Sequence, residues 1–134
     1  MPEPGGAPAT PIRVAVATRD ARFLRLATFL LGRSGFDICS MRRLSDLVER
    51  VDRGDVDVAV LDGSDSAHAA ARALAAIGAR RRDVGALVVA DRPEALPGLD
   101  TPVLPKWSAF GRLVGEIEHA YARRHVLDFA DGSL

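Results

Sequence analysis

The chain has 134 residues, 48% of them apolar, and its 18 basic and 18 acidic side chains cancel to a formal net charge of zero. That length suits one domain with an ordinary hydrophobic core, and the charge balance excludes a global pull toward nucleic acid or anionic membrane. No apolar run is long enough to span a bilayer, and the lone cysteine, Cys39, excludes an internal disulfide and fits a reducing cytoplasm.

The opening stretch MPEPGGAPATP holds four prolines and two glycines, with no basic start and no apolar segment. Residues 1–11 therefore read as a disordered tail rather than a signal peptide. IRVAVA (12–17) is short, β-branched and bounded by Pro11 and Thr18-Arg19-Asp20, which predicts a strand. A helix follows, with Asp20 as N-cap, Phe23, Leu26, Ala27, Leu30 and Leu31 at helical spacing, and Gly35 past its end. FDICSM (36–41) predicts a second strand, and a second helix carries Leu44, Leu47, Val48 and Val51 on one face before Gly54. VDVAVL (56–61) predicts a third strand, ending at Asp62-Gly63. The alanine-rich segment after it predicts a helix whose end is marked by Arg80-Arg81-Arg82, a charge cluster suited to a carbonyl pole. VGALVVA (84–90) predicts a fourth strand, PEAL allows one helical turn at most, and TPVLP predicts a short fifth strand. A last helix carries Phe110, Leu113, Val114, Ile117, Ala120 and Tyr121 on one stripe. The domain is expected over 12–125, with a C-terminal tail over 126–134.

Continuous apolar strands alternating with helices predict a parallel sheet covered on both faces, doubly wound, in the flavodoxin-like arrangement or a Rossmann relative. No G-x-G-x-x-G and no Walker motif follows any strand, so the pattern gives no support for dinucleotide or nucleoside-triphosphate binding. In such sheets the working site lies beyond the carboxyl ends of the strands. The polar residues there are Thr18, Arg19 and Asp20 after the first strand, Asp62 after the third, Asp91 after the fourth and Lys106 after the fifth. Lys106 is the only lysine beside 17 arginines, and a compact ammonium is not equivalent to a planar guanidinium fork. His68, His119 and His125 show no ligand spacing and read as solvated helix positions, and Cys39 reads as a small buried side chain.

Over roughly residues 12–124 the chain resembles the receiver domain of bacterial two-component response regulators. DVDVAVLDGSD resembles the third strand that ends in the phosphorylated aspartate, VLPKW the fifth strand with its lysine, and SGFDI the turn into the second strand. The resemblance implies a phosphoacceptor at Asp62, a phosphoryl-contacting ammonium at Lys106, and protein partners in a cytoplasmic signalling pathway, a histidine kinase among them. It also implies a phosphoryl chemistry assisted by Mg²⁺ on carboxylates. The chain departs from that pattern at several positions. Thr18-Arg19 stands where the family has an acidic pair, with Asp20 one place later; Val89-Ala90 brings no hydroxyl to strand four; Val103 replaces the aromatic switch of strand five; and most of the fourth helix is missing.

The expected function is therefore an atypical, pseudo-receiver signalling module with weak or no phosphorylation at Asp62. It is expected not to be an enzyme, to require no cofactor, and to hold at most a weak metal on Asp20 and Asp62. The alternative is a doubly wound domain that binds a small anion in the strand-end crevice through Arg19 and Lys106. Asp62 is expected to pair with Lys106, with Arg19 competing for the same carboxylate, and Trp107 is either a lid over that pair or part of the last helix's packing. A homodimer is expected to use the last or the first helix, near an altered Leu96/Leu99/Val103 face, with neither nucleic acid nor membrane as partner.

Overall fold

The computed structural model describes residues 11–81, 83–95, 101–107 and 110–132; the side chains of Ala95, Phe110 and residues 125–132 lie outside that set. The chain order is β1 (Arg13–Ala17), α1 (Ala21–Arg33), β2 (Asp37–Met41), α2 (Leu44–Asp52), β3 (Val58–Asp62), α3 (Ala67–Arg80), β4 (Gly85–Ala90), β5 (Val103–Pro105) and α4 (Phe110–Gly132). The five strands form one parallel sheet in the order β2-β1-β3-β4-β5, the flavodoxin-like arrangement of the two that the sequence allows. Between β4 and β5 the only helical element among the described residues is a 3₁₀ turn, Pro93–Ala95, as PEAL predicts. Leu96 and Leu99 lie outside the described residues.

Alternation along each strand sorts side chains to two faces. Val14, Val16, Val58, Val60, Leu87 and Val89 pack under α1 and α4 with Phe23, Leu31, Leu113 and Ile117. Ala15, Ala17, Ala59, Leu61, Val88 and Ala90 pack under α2 and α3 with Leu47, Val51, Ala73 and Ile77. The second face is lined largely by alanine. The α1 stripe is Phe23, Ala27 and Leu31, spaced four apart; Leu26, expected toward the sheet, is 46% exposed because that spacing turns it outward. Positive φ occurs at Gly35 (92°) and Gly54 (82°), the two turns that end α1 and α2, where a Cβ is unfavourable.

At the amino-terminal edge of the sheet, Asp57 ties β1 to β3 and α4. Arg13 donates to it from its backbone N–H (2.9 Å), Nε (3.2 Å) and terminal guanidinium nitrogen (3.1 Å), and Arg124 approaches at 3.4 Å. The last helix continues to Gly132, which corrects the expected tail at 126–134: no proline interrupts Val126–Asp131, and the first glycine after Gly115 is Gly132 itself. Of the tail expected over 1–11, residues 1–10 lie outside the described residues.

Helix α4 sits so close to β4 that a Cβ on Gly85 meets the Ala120 carbonyl oxygen at 2.7 Å, whereas one on Gly115 meets nothing within 4 Å. Gly85→Ala is therefore expected to cost about 1–3 kcal/mol through forced separation of helix and sheet. Gly115→Ala is expected to be neutral or stabilising by up to about 1 kcal/mol from helix propensity. Urea midpoints report both, and equal midpoints for the two variants contradict the close approach.

Candidate functional site

Three strand ends and one helix start converge at the carboxyl edge of the sheet. Lys106 follows β5, Asp62 ends β3, and Thr18 and Asp20 occupy the turn between β1 and α1. Residues this polar are rarely inside, yet Thr18 and Lys106 are each only 3% exposed. Backbone pairing holds them there: Thr18 N–H donates to the Met41 carbonyl (3.0 Å), and Lys106 N–H to the Ala90 carbonyl (2.8 Å).

The buried groups satisfy one another in a closed ring. Lys106 Nζ donates to Asp62 Oδ2 at 2.8 Å and to Asp20 Oδ2 at 3.0 Å. Thr18 Oγ1 donates to Asp62 Oδ2 at 2.6 Å and accepts from the Asp20 backbone N–H at 3.0 Å. The remaining oxygen of Asp20 caps α1, accepting from Arg22 N (3.0 Å) and Phe23 N (3.1 Å). That of Asp62 accepts from Ser64 N at 2.9 Å. The Phe23 ring, fully buried, lies 5.6 Å from Lys106 Nζ, and Trp107 meets Phe23 edge-on at 5.9 Å. Trp107 thus acts as a partial lid, 41% exposed, its ring 5.8 Å from Lys106 Nζ and 5.4 Å from the Arg22 guanidinium.

Burial disfavours every charge in this ring, and the partners outweigh it. Burial pushes the Asp62 carboxyl up, but Lys106, Thr18 and Ser64 together hold it below the usual carboxylate value. Burial also opposes the ionised form of Asp20, but Lys106 and the helix-cap N–H groups lower it. Burial lowers Lys106, while hydrogen bonds to Asp62 and Asp20 carry it above the ordinary lysine value. The ammonium is therefore permanent at neutral pH.

The expected contact between Lys106 and Asp62 forms, and Thr18 and Asp20 join it. Arg19 does not: it is exposed and lines a cavity beside the ring, because Thr18 already occupies the Asp62 oxygen that a guanidinium needs. Val89 and Ala90 are buried in opposite faces of the core, and Val103 is half-buried at the start of β5. Ser64 was not singled out from sequence. Its hydroxyl accepts from Asp91 N–H at 3.1 Å and helps lower Asp62, bringing an oxygen from the β3–α3 connection to the place where strand four has none. A serine two residues past a strand-end aspartate is a common turn composition, so spacing alone did not mark it. Of the histidines, His68 and His119 are exposed; the side chain of His125 lies outside the described set.

Among the described residues no three His, Cys, Asp or Glu side chains come together as a metal-binding group. The carboxylates of Asp20 and Asp62 face an ammonium instead.

No protein-family model matches the sequence, and no curated protein is significantly similar to it. Solved structures do match. A response regulator receiver domain protein (CheY-like) from Methanospirillum hungatei superposes with a TM-score of 0.73 at 12% identity, covering 87% of this chain and 98% of that one. A response regulator receiver domain protein from Clostridium thermocellum gives 0.72 at 16%, covering 87% and 98%. A sensor protein from a Polaromonas species gives 0.73 at 17%, covering 87% and 99%. The chain has the receiver fold.

The ring predicts a pH signature. Asp20 and Asp62 have depressed folded values, so their stabilisation is complete above the ordinary carboxylate value near about pH 4 and is lost as the pH falls through the folded values. Lys106→Met is expected to cost about 3–5 kcal/mol at neutral pH, since two carboxylates are left uncompensated. In that variant burial dominates at Asp62, its folded value rises above the unfolded one, and stability grows as the pH falls from neutrality toward it. Urea midpoints between neutral and acidic pH measure the two slopes, and parallel slopes rule out the ammonium as the compensating charge.

Proposed function

We propose that the chain is a receiver-type signalling module that acts by binding a protein partner, with Asp62 held in a standing ion pair rather than cycling through phosphorylation. One observation carries this reading: both oxygens of Asp62 are engaged, one by Lys106 and Thr18 and the other by Ser64. Phosphoryl transfer to a carboxylate needs a free oxygen in line with phosphorus and a cation on the phosphoryl oxygens. Here the ammonium is shared with Asp20, Thr18-Arg19 stands in place of an acidic pair, and Val89 and Ala90 supply no hydroxyl at the end of β4.

A role in protein contact is supported by α1. Its outward stripe carries Leu26 and Phe29, exposed by 46% and 64%, among Arg22, Arg25 and Arg33, with no acidic residue in its first turn. A partner or a second copy finds apolar anchors with a basic rim there, the composition that interfaces favour. No helix among the described residues is long and apolar enough to cross a membrane. A cytoplasmic setting and a kinase-class partner belong to the same proposal.

The test is intact-mass analysis after incubation with acetyl phosphate and Mg²⁺. The expected result is no stoichiometric adduct; an adduct that disappears in Asp62→Asn overturns the reading. In the native host, Asp62→Asn is expected to retain function, because Lys106 keeps Asp20 as partner. Loss of function in a variant that folds normally requires a cycling phosphoaspartate instead.

A further inference from the structure

Beside the ring, on the side away from Lys106, lies a cavity of about 370 Å³ framed by the β1–α1, β2–α2 and β3–α3 connections. Three arginines contribute to its lining: Arg19 from the first connection, Arg42 and Arg43 from the second. Like Arg22, Arg25 and Arg72, none of the three takes part in an ion pair among the described residues. Two carboxylates share the lining, Asp62 and Asp65. Asp62 shares the Lys106 ammonium with Asp20, so with the ring included Lys106 and the three arginines leave an excess of one positive charge over Asp20, Asp62 and Asp65.

The frame of the cavity adds to this charge. Arg43 is the N-cap of α2 and offers no side-chain acceptor to the first-turn N–H groups, while Leu44 and Ser45 line the cavity. Asp46, the acidic residue of that turn, lines a separate cavity with Ser40 and Arg50. The rest of the lining combines the hydroxyl residues Thr18 and Ser66 with the apolar Ala17, Leu44 and Ala69. A concave site of this size, with convergent cations at one part and aliphatic wall at another, suits a small organic anion rather than an extended polyanion. The excess of positive charge and the bidentate habit of arginine suit a phosphoryl group.

We propose that this cavity binds a small phosphomonoester of nucleotide size, its phosphoryl group held by Arg19, Arg42 and Arg43 and its body resting on Ala17, Leu44 and Ala69. Lys106 takes no part, which revises the Arg19–Lys106 pair expected from sequence: the ammonium is buried and already shared. The binding is reversible and needs no chemistry at Asp62, so it stands apart from the phosphorylation state of the chain.

Calorimetric titration of the full chain with AMP, adenosine and inorganic phosphate tests it. AMP is expected to bind saturably, inorganic phosphate to bind more weakly and compete, and adenosine not to bind. Each of Arg19→Gln, Arg42→Gln and Arg43→Gln is expected to weaken AMP by roughly tenfold, the loss of one charge-assisted contact. The remote Arg112→Gln, outside the cavity lining, is expected to leave it unchanged. All three cavity arginines are exposed, so unchanged thermal midpoints are expected and separate lost binding from lost folding. Four results overturn the proposal: no saturable phosphate or AMP binding up to about 10 mM, weaker than useful recognition; affinity indifferent to the three arginines; inorganic phosphate as tight as AMP; or binding confined to phosphorylated peptides.

Discussion

The Lys106 ammonium, 2.8 Å from Asp62 and 3.0 Å from Asp20, sits where the ends of β3 and β5 meet the start of α1. Its position is what allows Thr18 and the Asp62 side chain to be buried at the carboxyl edge. Two carboxylates there without a cation are each penalised by burial, and an ammonium alone is penalised as heavily. Together they need donors in two directions from one small centre. An ammonium with three rotatable N–H groups meets that demand, whereas a planar guanidinium spreads its donors over a wider fork. This is the physical content of a single lysine among arginines. Thr18 completes the arrangement by accepting from the Asp20 backbone while donating to Asp62.

The same ring sets the geometry around it. Asp20 is at once an ion-pair partner and the cap of α1, so moving the helix start moves the charge. Phe23, one turn into α1, lies over the ammonium and belongs to the core beneath α1 and α4. Charge and packing are therefore coupled through one helix. On the opposite face, Ala15, Ala17, Ala59 and Ala90 leave little side-chain bulk between the sheet and α2 and α3. Small residues at Ala17 and Ala69 also leave room for the cavity beside the ring.

Most of the fold was legible because strands flanked by turn residues and helices with one apolar stripe are local patterns. Strand order was narrowed to two arrangements by the general rules of parallel sheets and resolved only by tertiary pairing. The cap at Asp20 was readable, because an aspartate before a helical pattern has few other uses. Its second bond, to Lys106, was not, since it spans strands distant in sequence. Arg19 was set as a competitor for Asp62 by charge alone. A hydroxyl on Thr18 reaches the same oxygen with far less desolvation, and sequence gives no measure of that competition. The Leu26 assignment failed for a different reason. Two overlapping apolar stripes run along α1, and only packing decides which faces the sheet. The end of α4 was missed because the apolar stripe was followed only as far as Tyr121 and the residues after His125 were set apart as a tail, although Val126, Leu127, Phe129 and Ala130 are apolar.

The two edges of the sheet are electrical inverses of each other. At the carboxyl edge two anions enclose one cation; at the amino edge Arg13 and Arg124 enclose the single anion Asp57. Because every helix follows a strand, all four helices begin at the carboxyl edge and end at the other. Helix macrodipoles thus place partial positive charge beside the anionic ring and partial negative charge beside the cationic one. A chain with no net charge is in this way polarised internally along its strands, each cluster seated in the field that favours it. Exchanging the signs of the two clusters would preserve composition, isoelectric point and every pairing count, and would set both clusters against the backbone.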